Sequence, residues 1–383
     1  MSAAACAGGQ DASVTVAWQR VDPDPSGTKG PVDLVHVDGA WVGVGGDMAW
    51  TSTDGNAWTQ QPVESGADLN AIVHTGTRFF AGGSVGQSLA IWRSDDAAAW
   101  TRVDLGRAGE PTAGHESSTI VDVAAGPDGI LAAGTEWGSG GQRPTVLYAS
   151  EGETWVRAEP AFDGNGARSV LATAEGFLLA GADVARTGEV TRAAFWWSED
   201  GQSWSRVGDD PSNGNTEPRT TAALGDTLVV AGLRVLPAGV MAPAIWTSTD
   251  PAVWAALPSS GDLDWWSGSG RSPDLVAGAI QGTMIDGLAA TDSGLVAVGV
   301  EWGIDPSRPP SSGGQGPMTW RGALWRSPDG TSWTRQADDP VFTLGESNAF
   351  NLALGPVLVG GGQTLILGTT AELGATVWRA EEP

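Results

Sequence analysis

Short apolar runs alternate with turn residues along the whole chain, and this pattern predicts β-strands. The clearest runs are rich in Val, Leu and Ala, are bounded by Gly, Asp or Thr, and occupy 129–134, 176–181, 227–232 and 294–299. Such runs are too short for helices, and turn sequences such as Pro127-Asp128-Gly129 precede them. No segment shows convincing helical periodicity. The chain is therefore predicted to be all-β.

A Ser-x-Asp-Gly-type turn recurs six times, each time between an aromatic residue and a tryptophan. In the first copy, Trp50 precedes the turn and Trp58 follows it. The Ser and Asp positions of five copies are Ser52 and Asp54, Ser94 and Asp96, Ser198 and Asp200, Ser248 and Asp250, and Ser327 and Asp329. Repetition in almost every copy favours a structural role, so we predict that these side chains hydrogen-bond the turn backbone and that the tryptophans pack between sheets. An arginine two residues after the tryptophan, as at Arg157 and Arg335, is predicted to protect an exposed strand edge.

The two ends of the chain match complementary parts of this repeat. The segment around Trp378 matches a third strand with no fourth strand after it, and the segment around Trp18 matches a fourth strand with no third strand before it. Joined, they complete a seventh copy, as in a closed ring that leaves no sheet edge open. We therefore predict an all-β, seven-bladed β-propeller of four-stranded antiparallel blades, closed by pairing of a strand at about 13–21 with a strand at about 374–380. Residues 13–383 are expected to form this single domain, after a flexible tail at 1–12.

The Ser-x-Asp-Gly-x-x-Trp pattern, as at Ser327, Asp329, Gly330 and Trp333, resembles the Asp-box (BNR) repeat of the sialidase-like propeller superfamily. The box is one residue shorter than usual, a spacing similar to that of non-catalytic secreted bacterial propellers. The resemblance implies the propeller fold. It does not imply a sialidase, since that enzyme class uses a Tyr–Glu nucleophile pair, and the one tyrosine, Tyr148, holds a repeat position.

Charge and cysteine content narrow the compartment and the partners. Asp and Glu outnumber Lys and Arg by 45 to 20, and the net charge of −25 disfavours nucleic acid and anionic membranes. The single cysteine, Cys6, follows three alanines and precedes a flexible run, similar to a bacterial lipoprotein lipidation site; the alternative is an inert cysteine in a tail. No apolar run approaches the roughly 20 residues of a membrane span. We predict a monomeric extracytoplasmic protein, secreted or lipid-anchored through Cys6.

The lengths of the connections predict which face carries function. Turns between first and second strands, and between third and fourth strands, are short and share one face. Connections between second and third strands and links between blades share the opposite face, here called the long-loop face, and are predicted at 104–118, 137–145, 183–192, 208–219, 258–283, 302–321 and 336–348. Because loops on a rigid scaffold carry most binding functions, ligand-binding residues are expected there, namely Trp137, Trp265, Trp266, Trp302, Trp320, Arg308 and Arg321. Exposed tryptophans beside carboxylates suit sugar rings; the alternative is that these tryptophans pack the loops onto the ring.

The same face and the channel carry the candidate catalytic and metal-binding residues. Candidate acid–base pairs are Glu136 with Glu301, at equivalent positions of blades three and six, and Asp262 with Asp264. A glycoside hydrolase needs such a pair roughly 5–9.5 Å apart. His36 and His74 share one position on two inner strands, which favours a polar channel lining over a metal pair. No cofactor is predicted, and the sequence leaves open whether calcium occupies the channel.

The sequence thus favours an exported, non-catalytic recognition or scaffold propeller that binds a glycan or an extracytoplasmic protein on its long-loop face. The alternatives are a carboxylate-based glycoside hydrolase and an assembly or stability factor for a membrane complex.

Overall fold

The computed structural model describes residues 16–24, 29–139, 141–158, 166–184, 190–211, 214–236, 240–258, 281–304, 318–347 and 351–381. Within these residues the chain consists of β-strands and their connections, with short 3₁₀ turns at Gly106–Gly109 and Pro340–Phe342 and no α-helix. Nothing helical in this part of the chain has the length and apolarity to span a bilayer.

After an initial strand, the strands follow one another in groups, here numbered as units one to seven. The initial strand is β1 (Gln19–Val21). Unit one contains β2 (Asp33–Val37), β3 (Ala40–Gly45), β4 (Met48–Ser52) and β5 (Thr59–Pro62). Unit two contains β6 (Ala67–His74), β7 (Phe79–Val85), β8 (Ser88–Ser94) and β9 (Thr101–Arg102). Unit three contains β10 (Ser117–Gly126), β11 (Gly129–Gly138), β12 (Gly141–Ala149) and β13 (Val156–Arg157). Unit four contains β14 (Ala167–Ala172), β15 (Phe177–Val184), β16 (Val190–Ser198) and β17 (Ser205–Asp209). Unit five contains β18 (Asn215–Leu224), β19 (Thr227–Val235), β20 (Met241–Asp250) and β21 (Val253–Ala256). Unit six contains β22 (Gln281–Thr291), β23 (Gly294–Ile304), β24 (Met318–Ser327), β25 (Thr334–Arg335) and β26 (Thr343–Ser347). Unit seven contains β27 (Ala353–Gly360), β28 (Gln363–Thr370) and β29 (Gly374–Glu381).

Successive strands of a unit pair as antiparallel neighbours, except that in unit six both β25 and β26 pair with β24. Five sheets are four-stranded, and units five and six are joined into one nine-stranded sheet through a single parallel pair, Met241 with Gly282. Tight turns close the hairpins. Between β2 and β3, for example, Asp38 and Gly39 have φ angles of 51° and 79°, the left-handed backbone that two-residue hairpin turns require.

The first strands of successive units, here called the inner strands, contact one another. In order they are β2, β6, β10, β14, β18, β22 and β27, and β27 also contacts β2. Apolar clusters fill the space between neighbouring units. Between units four and five, Phe195 stacks on Trp254 with ring centroids 4.2 Å apart and meets Trp246 edge-on at 6.0 Å. The core therefore lies between the sheets, where their apolar faces meet.

The Ser-x-Asp-Gly turns are held by their own side chains. In unit one, Ser52 Oγ accepts a hydrogen bond from Gly55 N at 2.9 Å. Asp54 Oδ1 accepts hydrogen bonds from Asn56 N at 2.8 Å and from Ala57 N at 2.9 Å. The corresponding side chains also bond the turn backbone at Ser94 and Asp96, Ser198 and Asp200, Ser248 and Asp250, and Ser327 and Asp329. Backbone amides of the turn lower the pKa of Asp329 to about 2. These carboxylates therefore bind backbone amides and stabilise the turns.

The N-terminal and C-terminal strands share one sheet. β1 pairs antiparallel with β29, with Gln19 opposite Arg379, so the strand order in unit seven is β1-β29-β28-β27. The N-terminal strand is shorter than predicted, because residues 16–18 form no strand and Trp18 packs instead against Phe342, with ring centroids 5.2 Å apart. Residues 1–15, which include Cys6 and the predicted tail, lie outside the described residues.

Two predicted loops of the long-loop face are mostly strand. In the predicted loop 137–145, β11 runs to Gly138 and β12 starts at Gly141, and in the predicted loop 208–219, β18 starts at Asn215. Gly and Pro residues in these segments favour loops, but strand pairing continues through Pro144 and Pro218. Proline is tolerated at Pro218 because β18 is the edge strand of its sheet, the usual position for a proline within a strand.

Candidate binding site

The inner strands surround a cavity of about 340 Å³, here called the central cavity. All seven inner strands line it, and one residue from each is Asp33, Asn70, Asp122, Ser169, Thr221, Asp286 and Val357. Charged and polar side chains thus meet at the centre of an otherwise apolar framework.

β-Bulges direct several of these side chains into the central cavity. Six inner strands shift register against their second strands, and the extra residues of four of them are Asn70, Arg168, Arg219 and Asp286. A bulge leaves one residue unpaired and re-aims its side chain. Units six and seven also approach closely beside Asp286. A Cβ atom added to Gly355, whose φ is 145°, would lie 2.9 Å from the Asp286 carbonyl carbon, so glycine is required there.

Two carboxylates of the central cavity bind the backbone of the next unit. Asp33 Oδ2 accepts a hydrogen bond from Ile72 N at 2.8 Å, and Asp122 Oδ2 accepts one from Val170 N at 2.8 Å. The other oxygen of each accepts from the amide of the following residue. Burial raises the pKa of Asp33 to about 7 and that of Asp122 to about 6. Because every oxygen is engaged, these carboxylates act as acceptors for the free edges of neighbouring inner strands.

Asp286 differs from the other two carboxylates. Arg219 Nε lies 3.4 Å from its Oδ1, yet within the described part of the chain neither Arg219 Nε nor Asp286 Oδ2 has a hydrogen-bond partner. Burial raises the pKa of Asp286 to about 6, although the Arg219 charge opposes that shift. The neighbouring Glu217 is instead bound by Arg168 Nε at 2.8 Å. One carboxylate and one guanidinium therefore retain unused hydrogen-bonding capacity.

A second cavity of about 560 Å³, here called the mouth cavity, shares Arg219 and Asp286 with the central cavity. Asn215 starts β18, Val235 ends β19 and Ala353 starts β27, so this cavity lies at the long-loop face. Its apolar walls are Leu233, Val235, Met241, Met284 and Leu352, and its polar side is Asn215, Glu217, Arg219 and Asp286. A concave apolar pocket of this size with a few convergent polar groups is the usual form of a small-molecule site.

The tryptophans predicted to bind a ligand are not exposed in unit six. Trp302 is 1% exposed and Trp320 is 0% exposed, and their rings stack with centroids 5.2 Å apart at 23°. The prediction that they present their faces to a sugar is wrong, because cross-strand pairing places both in the apolar cluster between units six and seven. Trp137 is half-buried near the end of β11, and Arg321 is half-buried opposite Glu301.

Glu136 and Glu301 are equally unsuited to acid–base catalysis. Both are 0% exposed. Arg157 Nη1 lies 2.8 Å from Glu136 Oε1, and Arg335 binds Glu301 through two hydrogen bonds of 2.9 Å. Burial raises the pKa of Glu301, and the Arg335 charge opposes that shift. The predicted catalytic pair is therefore wrong, since a guanidinium covers each carboxylate. Arg157 and Arg335 also do more than protect a strand edge, because each ties the fourth strand of its unit to the second strand.

The remaining predicted residues are less informative. Five of them lie outside the described residues, namely Asp262, Asp264, Trp265, Trp266 and Arg308. His36 and His74 pack against the rings of Trp41 and Phe79, with centroids 4.8 and 4.5 Å apart, and among the described residues neither lines the central cavity. The described part of the chain contains no group of three or more His, Cys, Asp or Glu side chains arranged to hold a metal ion.

Comparison with known proteins bears on the fold. No family model and no curated protein matches this sequence. Among solved structures, catalytically inactive virginiamycin B lyase from Staphylococcus aureus with quinupristin superposes with a TM-score of 0.56, covering 96% of this chain and 99% of the lyase at 9% identity. The chain has a β-propeller fold. Trypanosoma rangeli sialidase in complex with sialic acid gives a TM-score of 0.44 at 12% identity, covering 95% of the propeller and 58% of the sialidase. At these identities the likeness concerns the fold alone.

Sequence reasoning placed Arg219 on the long-loop face, in the predicted loop 208–219, but did not single out Arg219 or the other residues that line the two cavities of the propeller. Arg219 and Asp286 lie at bulges in their strands, and a bulge leaves no periodic pattern in the sequence. For Asp286, the available signal was a single charge inside its first strand. That signal is weak on its own, because Glu136 is also an isolated charge in an apolar strand and is bound by its own unit.

Proposed function

We propose that this propeller is a closed ring of seven four-stranded blades and a non-catalytic recognition protein that binds its ligand in the mouth cavity. Three features support the ring: one cavity lined by all the inner strands, the contact of β27 with β2, and the pairing of β1 with β29. In such a ring, unit seven is the blade that β1 completes.

The observation that carries the recognition role is the mouth cavity itself. It lies where the inner strands reach the long-loop face, and aliphatic and thioether side chains form its walls beside the Arg219–Asp286 pair. Burial of Trp302 and Trp320 takes two of the five predicted tryptophans out of the stacking surface that favoured a glycan. A concave, mostly apolar pocket favours a small ligand or a short protruding group of a protein partner over an extended sugar chain.

The non-catalytic part of the proposal is supported by the state of the carboxylates. Glu136 and Glu301 are covered by arginines, and Asp33 and Asp122 use their oxygens on backbone amides. A glycoside hydrolase needs two carboxyl groups that reach the substrate. Of the two carboxylates that line the mouth cavity, Glu217 is already bound by Arg168, which leaves Asp286. Turnover of fluorogenic glycosides by the purified protein would contradict this part of the proposal.

A ligand panel tests the site. Saturation-transfer NMR with sugars, amino acids, amines, carboxylates and short peptides should reveal at least one binder. Ala353→Trp fills the mouth cavity, and Ala290→Trp places the same side chain on the exposed end of β22 at the opposite face. Binding should be lost in the first variant and kept in the second. Equal binding by both variants, or no binder at all, would contradict the assigned site.

The proposal includes the extracytoplasmic location expected from the sequence, with attachment through a lipidated Cys6. Mass spectrometry of the protein extracted from the membrane fraction of its native cells should show a diacylglycerol adduct on this cysteine. A protein recovered only in the cytoplasm without an adduct would refute the location.

A further inference from the structure

We propose that the mouth cavity binds a free α-amino acid with an apolar side chain, with the ligand's ammonium group at Asp286 and its carboxylate at Arg219. This inference rests on the proposed function, because it names the ligand class of the same cavity.

The first argument is the unused capacity of the Arg219–Asp286 pair. The two groups are 3.4 Å apart, but Asp286 Oδ2 and Arg219 Nε are buried without a hydrogen-bond partner among the described residues. Buried polar groups are nearly always satisfied, and an orphaned one in a native structure calls for an explanation such as a water molecule, an ion or a ligand. Both side chains also line the mouth cavity and are partly accessible, 35% for Arg219 and 13% for Asp286, so a ligand that brings both a donor and an acceptor can contact both groups.

The second argument is the arrangement of the charges. A carboxylate and a guanidinium lie side by side and face the same cavity. An α-amino acid carries an ammonium group and a carboxylate on one carbon atom, so its two charges are also adjacent. Bound head to tail, the ammonium donates to Asp286 while Arg219 donates to the carboxylate, and both bonds are charge-assisted.

The third argument is that a ligand with one charge fits less well. The two cavities contain the carboxylates of Asp33, Asp122, Glu217 and Asp286 and the guanidinium groups of Arg168 and Arg219. An anion would meet this excess of carboxylates. A simple amine would leave Arg219 without an acceptor, and Arg168 is already bound to Glu217.

The fourth argument concerns the side chain of the ligand. Away from the charged pair, the walls are Leu233, Val235, Met241, Met284 and Leu352. These side chains offer no hydrogen bonds, so a polar ligand side chain would lose its hydration without compensation. Methionine adapts its shape and contacts aromatic rings favourably, so leucine-like and phenylalanine-like side chains are both expected.

The test compares whole ligands with their halves. L-Phenylalanine and L-leucine are titrated by ligand-observed NMR against phenethylamine, 3-phenylpropanoate, isoamylamine and 4-methylpentanoate. We expect one or both amino acids to bind at least about tenfold more tightly than either half, because each charged hydrogen bond contributes at least that much. Asp286→Asn and Arg219→Gln should each weaken amino-acid binding by about tenfold or more.

Matched controls separate charge at the site from charge in general. Asp226→Asn and Arg107→Gln alter exposed residues outside both cavities and should leave binding unchanged. If Asp286→Asn or Arg219→Gln fails to fold, Ala353→Trp keeps both charges and should block the amino acid by filling the cavity.

Each outcome decides between the two proposals. If an amine fragment or a carboxylate fragment binds as tightly as the whole amino acid, the amino-acid assignment is wrong. If no amino acid binds but another ligand binds in a manner blocked by Ala353→Trp, the ligand class is wrong and the proposed function stands. If nothing in the panel responds to Ala353→Trp, both are wrong.

Discussion

Replacing Arg335 with methionine should destabilise the propeller by leaving Glu301 buried without its partner. Glu301 is 0% exposed and receives two hydrogen bonds of 2.9 Å from Arg335. Removing one member of a buried ion pair costs about 3–5 kcal/mol, because the remaining charge keeps its desolvation penalty. The Arg335 side chain is itself 13% exposed, and its second partner, Asp338, is 37% exposed. We therefore expect the lower end of the range, about 3 kcal/mol.

Denaturant unfolding followed by tryptophan fluorescence measures this cost. Arg335→Met in a Glu301→Gln background should cost only about 1 kcal/mol, because no charge is left uncompensated. Arg107→Met, at an exposed position, is the control and should stay within about 0.5 kcal/mol of the wild type.

The dependence on pH provides a second check. Burial already raises the pKa of Glu301, and removal of Arg335 raises it further above the pKa in the unfolded chain. The folded variant then binds the proton more tightly than the unfolded chain does. Its deficit should be smallest below the unfolded pKa of about 4.3 and should grow as the pH rises. A deficit of equal size with and without Glu301, or one that is constant across pH, would refute the reasoning.

Three further predictions concern the ring, the central cavity and the turns. Cysteines introduced by Gln19→Cys and Arg379→Cys, with Cys6→Ser to avoid mispairing, should form a disulfide under mild oxidation and raise the melting temperature. Opposite residues of an antiparallel pair lie within the distance that a disulfide can bridge. Failure to crosslink would argue against the β1–β29 pairing. Stability should fall as the pH rises from about 4 to about 7, because the folded state binds more protons than the unfolded chain in this window; the groups responsible are Asp33, Asp122 and Asp286. Thermal melts at each pH should show a shallower slope for Asp286→Asn, and an unchanged slope would exclude this carboxyl as a source. Asp329→Ala should lower stability by about 1 kcal/mol at pH 7, and the difference should vanish below about pH 2, where the carboxylate is protonated in both states; a loss that persists at pH 2 would assign it to something other than the charged turn bonds.

The architecture was accessible from the sequence because it repeats. The turn around Ser52 and Asp54 recurs with nearly constant spacing, and each copy reports a hairpin between a third and a fourth strand. The complementary segments around Trp18 and Trp378 then indicated how the last unit is completed, although β1 starts only at Gln19. Several copies of one pattern compensate for an ambiguous strand assignment in any single copy, whereas a single strand has no second copy for comparison.

The site was less accessible because it depends on details that repetition does not encode. A bulge of one residue decides that Asp286 faces the cavity, and no periodic pattern reports a single inserted residue. Glu301 and Trp302 were misassigned for the opposite reason. They are unusual in the sequence, but each has a partner on a neighbouring strand, Arg335 and Trp320 respectively, that removes it from the solvent. Which residues come into contact across strands is decided by register, and a single sequence leaves register open.

The two carboxylates that bridge neighbouring inner strands have an evolutionary consequence. Amides on the free edges of those strands need an acceptor whatever the protein recognises. Relatives of this propeller that bind other ligands should therefore retain Asp33 and Asp122, whereas the residue at the position of Asp286 should vary. Conservation of Asp33 and Asp122 would then reflect the shared fold, and variation at the position of Asp286 would reflect a change of ligand.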